Sequence, residues 1–174
     1  MDIGGGEGMQ KWLIPYRNFF KDSDYKSFDF DASTNPDIVG DIHNIPLPEN
    51  YIEAIICSSV LEHIENPILA CQELYRVLKP NGLLFVYVPS IYPYHARKGH
   101  YPDYWRIFDD TLFFLLKNFK DIRIKKRGGY FYALSFFIPK QHRLRWLIDP
   151  IAHFLDAILK SNSTTAGYYV LAKK

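Results

Sequence analysis

The stretch that decides the fold is DIGGGEG, residues 2–8, a glycine-rich turn. Glycine adopts positive φ and lets a ligand approach the backbone closely, and a following helix offers free N–H groups and a positive dipole end. A dinucleotide fingerprint that started at Gly4 would need glycine at Met9, and the G-K-[ST] of a P-loop is absent. The turn therefore predicts a nucleotide-type cofactor, and a tight turn without a ligand is the alternative.

An acidic residue follows the turn at about the 20-residue distance that a ribose-binding carboxylate needs. Asp29 lies near the end of a short predicted strand, and Asp31 is a near alternative. A carboxylate accepts hydrogen bonds from both ribose hydroxyls, so this residue type suits the role. The alternative is that Asp29 merely ends the strand.

Beyond the turn, apolar runs alternate with helical patterns, which is typical of an α/β fold with a mostly parallel sheet. Asn66 and Pro67 predict a helix start, with asparagine as the cap and proline at the first helical position. The predicted strands are 25–30, 37–40, 51–58, 83–88, 119–126 and 166–172, and the predicted helices are 9–20, 67–80, 109–116 and 143–160. We expect Asn81 and Gly82 to form a turn, and Asp109 to Thr111 to cap a helix.

Composition excludes several classes of protein. The 174 residues fit one domain, 1–174, in which we expect a substrate loop at 90–108 and a helical cover at 128–162. Two cysteines cannot build a disulfide framework, and no C-x-x-C pair offers a zinc site. We see neither a secretory signal nor an apolar run of about 20 residues, so we expect a cytoplasmic protein.

Further segments complete an ordered pattern with the turn and Asp29: GDIHNIP at 40–46, CSSVLEH at 57–63 and RVLKPNG at 76–82. The set resembles the class I S-adenosylmethionine-dependent methyltransferases, specifically the broad type 11 group. The resemblance implies a Rossmann-like sheet in three αβα layers, with order 3-2-1-4-5-7-6 and strand 7 antiparallel. It implies S-adenosylmethionine as cofactor and methyl transfer to a small-molecule acceptor or to a glycan- or lipid-linked one.

The resemblance also carries cofactor roles over by position. The glycines would pass under the methionine and ribose parts, Asp29 would bind the ribose, and Asp41 would accept from the adenine amino group. The implied cofactor residues are Asp2, Gly4, Gly6, Gly8, Asp29, Asp41, Ile42, Ser58 and Ser59. Asn81 replaces the usual glycine of a Lys-Pro-Gly-Gly turn, a mild departure because asparagine tolerates positive φ.

The larger departure lies at the front, where only Met1 precedes Asp2. The family has an apolar strand leading into the glycine turn, and a helix before that strand. We therefore expect a first strand clipped to about three residues, which leaves unpaired backbone groups. Three explanations stand: a truncated or misassigned start, which we favour, a catalytically silent scaffold or partner-binding module, or completion by another chain.

The candidate catalytic residues lie in the substrate loop and comprise His95, His100, Asp103, Tyr104 and Arg106. Either histidine could act as a general base, with Asp103 orienting the imidazole. Arg106 would clamp an acidic group of the substrate or pair with Asp109 or Asp110. For each residue a structural role is the competing interpretation, and we expect no metal site, a trio of His95, His100 and Asp103 being the disfavoured alternative.

The near-neutral net charge of +2 hides an asymmetry. Residues 1–110 carry 9 bases against 16 acids, and residues 111–174 carry 12 bases against 3 acids. Aromatic apolar stretches alternate with the bases Lys125, Lys126, Arg127, Lys140, Arg143 and Arg145. This pattern favours a helical cover or homodimer interface over an anionic membrane surface, and no recognised motif supports a nucleic-acid partner.

Overall fold

The computed structural model describes residues 1–6, 8–138, 143–160 and 164–174. Its centre is a seven-stranded sheet with order β3-β2-β1-β4-β5-β7-β6. The strands are β1 Asp2–Ile3, β2 Ser27–Asp29, β3 Ile38–Val39, β4 Ile52–Ser58, β5 Leu78–Pro89, β6 Lys120–Lys126 and β7 Gly167–Lys173. The helices are α1 Pro67–Val77, α2 Asp109–Leu115, α3 Tyr130–Ser135 and α4 Arg145–Leu159. Lys140 lies outside the described residues.

The order and direction of the strands confirm the predicted fold. β1 pairs in parallel with β2 and with β4, β2 with β3, and β4 with β5. β7 runs antiparallel between β5 and β6. β1 is two residues long, yet it lies at the centre of the parallel half: Ile3 is opposite Phe28 on one side and Cys57 on the other. The carboxyl ends of β1, β2 and β4 therefore meet at one edge.

The predicted helix at 9–20 is wrong. Only a 3₁₀ segment, Ile14–Phe20, forms there, and none of its residues is buried. Pro15 stands at its start, where it removes a backbone donor and disfavours helical geometry for the residue before it. Phe19 keeps 82% of its surface exposed, so no apolar face packs this segment against the sheet.

The passage from α1 to β5 also differs from the prediction. Asn66 caps α1 as expected, because its Oδ1 accepts the N–H of Leu69 at 3.1 Å. α1 ends at Val77, and β5 starts at the next residue. The expected turn at 81–82 lies within that strand, where Asn81 has φ 66° and the partner strand shifts register. The positive φ of Asn81 therefore coincides with an irregularity in the pairing of β4 with β5.

Two apolar clusters hold the fold together. The main one joins the sheet to α1 and α2, with Leu74 and Leu112 fully buried. A second cluster lies beneath α3 and α4, around Tyr132, Phe136 and Ala152. Asp109 and Asp110 lie in the first turn of α2 and provide no cap, since the N-cap position is Phe108. Within the described ranges, no helix has the length and apolar content needed to cross a bilayer.

Candidate active site

A cleft of about 1050 Å³ opens beyond the carboxyl ends of the parallel strands. Ligands of open α/β sheets bind at this edge. The predicted site residues that line the cleft are Gly4, Gly6, Asp29, Asp41, Ile42, Ser58, Ser59, His95, His100 and Tyr104. Asp2, Gly8, Asp103 and Arg106 are outside the lining. Most of the predicted cofactor residues thus share one cleft with part of the substrate loop.

The glycine turn is built to exclude side chains. Gly4 and Gly6 have φ of 71° and 57°. A Cβ on Gly4 would lie 2.7 Å from Cγ2 of Val60, and one on Gly6 would lie 3.3 Å from Cβ of Thr34. Gly8 also has positive φ but meets nothing within 4 Å. The backbone of the first two glycines is therefore the surface that a ligand would touch.

Asp2 lies under the turn and supports it. Its carboxylate is fully buried and accepts hydrogen bonds from Nε2 of Gln10 at 2.8 Å and from the hydroxyl of Tyr25. Burial raises the pKa of Asp2, and the two donors oppose that rise. Because its hydrogen-bond donors come from Gln10 and Tyr25, the Asp2 carboxylate positions the glycine turn.

Three carboxylates follow β2 and β3, each held by its local backbone. Oδ1 of Asp29 accepts the N–H of Asp31 at 3.0 Å, and Oδ1 of Asp31 accepts that of Ser33 at 2.9 Å. Oδ1 of Asp41 accepts the N–H of His43 at 2.9 Å. That N–H lowers the pKa of Asp41, with a further contribution from the His43 imidazole. All three lie at the mouth of the cleft and accept hydrogen bonds there.

Arg106 and Asp103 form a closed ion pair. Nη1 and Nη2 of Arg106 donate to the two carboxylate oxygens of Asp103 at 2.6 and 2.7 Å. The guanidinium also donates to the carbonyls of Tyr92 and Pro93, which fixes the path of the loop. It lowers the pKa of Asp103 to about 2. The expected pairing of Arg106 with Asp109 or Asp110 is wrong, because Asp103 takes the guanidinium.

The two loop histidines point to different partners. The backbone N–H of His95 donates to Oδ2 of Asp103 at 2.8 Å, and its Nδ1 lies 3.2 Å from the same oxygen. The carboxylate of Glu62 raises the pKa of His95. Nδ1 of His100 lies 3.4 Å from Oδ2 of Asp31, and the N–H of Tyr104 donates to the carbonyl of Glu62 at 2.8 Å. His95 is therefore the histidine that Asp103 orients.

Sequence reasoning missed three residues of the cleft: Glu62, Tyr87 and Arg127. Arg127 was expected in a surface cluster, yet its Nη1 donates to the Tyr87 hydroxyl at 2.6 Å. The guanidinium also lies over the rings of Tyr132 and Phe136. The Leu-Glu-His of residues 61–63 was a signal for Glu62, whereas nothing local marks Arg127.

Comparisons with known proteins agree with the fold. Residues 2–86 match the type 11 family model described as a methyltransferase domain. A crystal structure of an S-adenosylmethionine-dependent methyltransferase from Archaeoglobus fulgidus has a TM-score of 0.61 and 16% identity, covering 99% of this chain and 84% of that one. Phosphoethanolamine N-methyltransferase 2 of Haemonchus contortus, solved with phosphomonomethylethanolamine and S-adenosylhomocysteine, has a TM-score of 0.60 and 14% identity, covering 99% and 48%.

Among curated proteins, the chloroplastic 2-methyl-6-phytyl-1,4-hydroquinone methyltransferase 1 of Oryza sativa subsp. japonica is 26% identical over 99 residues, 55% of this chain. The matched regions cover only 15% and 30% of the two curated relatives. The sheet order and the cleft define the fold of the class I S-adenosylmethionine-dependent methyltransferases. Residues 2–86, just under half of the chain, resemble the type 11 group of that class, a family that uses S-adenosylmethionine.

Proposed function

We propose that this chain binds S-adenosylmethionine in the cleft and transfers its methyl group to a small-molecule acceptor. The observation that carries the proposal is the glycine cradle, which faces Asp29 and Asp41 across one cleft. The residues fit the cofactor, since the backbone is bare where a Cβ on Gly4 would collide with Val60. The cleft is also at the large end of the range of about 300–1,000 Å³ typical of ligand sites.

Each cofactor residue supplies a contact that its chemistry allows. Asp29 would accept from the ribose hydroxyls, and Asp41 from the adenine amino group beside the backbone of Ile42. Ser58 and Ser59 would line the methionine end. S-adenosylmethionine supplies a methyl group on an already activated leaving group, so alignment of the acceptor does much of the work.

An oxygen or nitrogen acceptor must also lose a proton. We propose that His95 accepts this proton, because it lines the cleft and Asp103 contacts Nδ1 of its ring. Arg106 and Asp103 act through His95 and fix its position. His100, in the substrate loop, contacts Asp31 on the cofactor side and so links the two sides of the cleft.

The type of acceptor is inferred from the relatives. The Haemonchus structure contains phosphomonomethylethanolamine, and the rice relative is named for a phytyl hydroquinone. We propose a small acceptor of this kind, with a glycan- or lipid-linked molecule as the wider class. The family match favours an enzyme over the catalytically silent scaffold that we considered from the sequence.

Calorimetry tests the proposal. We expect the chain to bind S-adenosylhomocysteine and S-adenosylmethionine, and Asp29→Asn to weaken binding about 10- to 100-fold, because a hydrogen bond to a charged group contributes about 1.5–3 kcal/mol. Asp24→Asn is the matched control, since the side chain of Asp24 is 86% exposed beside Lys26. Absence of binding by the unmodified chain at millimolar cofactor would end the proposal.

A second candidate is a peripheral enzyme that works at the cytoplasmic surface of an anionic membrane. The outer side of α4 keeps Trp146, Phe154 and Ile158 exposed at 76%, 63% and 58%. Exposed Arg143 and Lys160 flank the helix. A helix with an exposed apolar side and basic ends suits an anionic interface.

Liposome flotation separates this candidate from a homodimer. We expect flotation with anionic vesicles at low salt, and its loss in a Trp146→Ser, Phe154→Ser double variant. Phe19→Ser is the control, because Phe19 is equally exposed on another part of the surface. No flotation at low salt would exclude the membrane surface, and concentration-dependent dimerisation abolished by the same double variant would assign α4 to a homodimer.

A further inference from the structure

Three side chains converge at the floor of the cleft, and we call them the Glu62 cluster: Glu62, His63 and His95. Glu62 lies in the 3₁₀ segment Leu61–His63 directly after β4, and its side chain is completely inaccessible. Nε2 of His63 and Nε2 of His95 each lie 3.8 Å from its Oε1. In the part of the chain that the structure describes, neither carboxylate oxygen reaches a hydrogen-bond donor.

The outer ring nitrogens of both histidines are already engaged. Nδ1 of His63 contacts the carbonyl of Pro102. Nδ1 of His95 lies 3.1 Å from the carbonyl of Pro93 and 3.2 Å from Oδ2 of Asp103. A carbonyl only accepts, so each Nδ1 carries the proton, and in a neutral ring each Nε2 presents a lone pair. In the neutral state both lone pairs face the carboxylate of Glu62, which has no donor within hydrogen-bond distance, and the same closeness favours a positive charge on His95.

This arrangement is unfavourable unless something positive joins it. A buried carboxylate without a hydrogen-bond donor is costly, and here acceptor atoms from three residues lie within 4.8 Å of one another. Histidines that bind a metal donate their other ring N–H to a carbonyl or carboxylate, and both rings here do so. The unsatisfied oxygens and the ring orientations are two independent observations, and both indicate a cation.

We propose that Glu62, His63 and His95 bind a divalent transition-metal cation, with Zn²⁺ as the best fit. Two imidazoles and one carboxylate are a donor set that this ion accepts, with metal bonds of about 2.0–2.2 Å. Such bonds bring donor atoms to roughly 3.0–3.5 Å from one another. Small rotations of the three side chains close the present gaps. All three residues line the cleft, so a further coordination position faces it.

The site has a use that rests on the proposed function. With the cation bound, Nε2 of His95 is a metal ligand and no longer the base, and the cation would hold an oxygen of the acceptor and lower the pKa of a hydroxyl bound to it. That restricts the acceptor class to molecules with an oxygen ligand, such as a phenol, a phosphate or a carboxylate. Metal binding itself requires only the three side chains.

Titration of the full chain with Co²⁺, followed by its visible absorption, and with Zn²⁺ by calorimetry tests the site. We expect one ion per chain, and at least 100-fold weaker binding in His63→Gln and in His95→Gln. Glu62→Gln keeps the shape of the side chain and removes its charge, so it should weaken binding likewise. His153→Gln is the matched control, because His153 is exposed and stacks on Tyr132 outside the cleft.

Circular dichroism identifies any variant that fails to fold, and the two histidine variants keep the test valid if Glu62→Gln does so. Equal ion binding by the unmodified chain and by all three cluster variants would overturn the proposal. Absence of ion binding by the unmodified chain would also overturn it and would mean that Glu62 shares a proton with a histidine instead. Calorimetry with S-adenosylhomocysteine runs in parallel. Intact cofactor binding without metal binding overturns this site alone.

Discussion

The two walls of the cleft hold their charges in different ways. On the cofactor wall, Asp29 and Asp41 accept backbone N–H groups only two residues further along the chain. On the acceptor wall, the side chain of Glu62 is completely inaccessible, as is that of Asp103, which lies outside the cleft lining. Asp103 is held by Arg106 and contacts His95, while the approach of His95 to Glu62 spans 33 residues. One wall is built by local turns, whereas the other also needs contacts between distant parts of the chain, such as His95 with Glu62.

This difference predicts where stability depends on charge. Carboxylates at an exposed turn are screened by solvent, and their pairs contribute little. A buried carboxylate that loses its partner is left uncompensated, and the protein pays the full penalty. Substitutions on the acceptor wall should therefore reduce stability, whereas those on the cofactor wall should reduce ligand affinity.

The largest expected effect is that of Arg106→Met, which removes the partner of a buried acid. We expect the free energy of unfolding to fall by about 3 kcal/mol, the lower end of the range for broken buried pairs, because the Arg106 side chain is 25% exposed. Urea denaturation measures the change. Lys79→Met is the control, since Lys79 pairs with Glu53 at the surface and should change stability by less than about 1 kcal/mol. Equal effects of the two variants would remove the distinction between buried and exposed charge.

A smaller effect is expected for Gly4→Ala, which tests the cofactor wall. The left-handed backbone disfavours alanine by roughly 1–2 kcal/mol, and the new Cβ would also meet Val60. We expect about tenfold weaker binding of S-adenosylhomocysteine by calorimetry. Gly99→Ala carries similar strain at φ 82° but adds its Cβ to open space. Similar affinities in the two variants would mean that the close packing of the turn is irrelevant to the ligand.

A third effect is expected on the pH dependence of stability. Arg106 holds the pKa of Asp103 at about 2 in the folded chain, against about 3.9 when unfolded. A lowered folded pKa stabilises the protein above the unfolded value, and this contribution is lost as pH falls from about 4 to about 2. The free energy of unfolding of the unmodified chain should therefore fall more steeply across this window than that of Asp103→Asn. Parallel pH profiles of the two proteins would show that the Asp103–Arg106 pair does not make stability depend on pH.

The same contrast explains how much the sequence could predict. The expected strand order comes from the resemblance of the ordered motif set to a known family, whereas the glycine turn at residues 2–8 and the Asn66 cap follow from local residue types. The carboxylates of the cofactor wall are also local features. These elements could be predicted because their geometry is set within a few residues of backbone.

The acceptor wall could be predicted only in part: Asp103 beside a loop histidine is expected from the sequence, whereas the partner of Arg106 is not. Arg106 has acidic neighbours at 109 and 110, yet it pairs with Asp103, because the loop turns its guanidinium toward the carbonyls of Tyr92 and Pro93. Arg127 follows two lysines and looked like part of a solvated patch. Its place under α3 depends on β6 lying beside β7, which is a long-range consequence of the fold.

Asp156 joins α3 and α4 by hydrogen bonds. Its carboxylate, on α4, accepts the N–H groups of Gly129, Phe131 and Tyr132 at the start of α3. Arg127 lies between this pair of helices and the cleft, over Tyr132 and bonded to Tyr87. A continuous set of contacts therefore links the outer helix α4 to Tyr87 and Arg127 in the lining of the cleft.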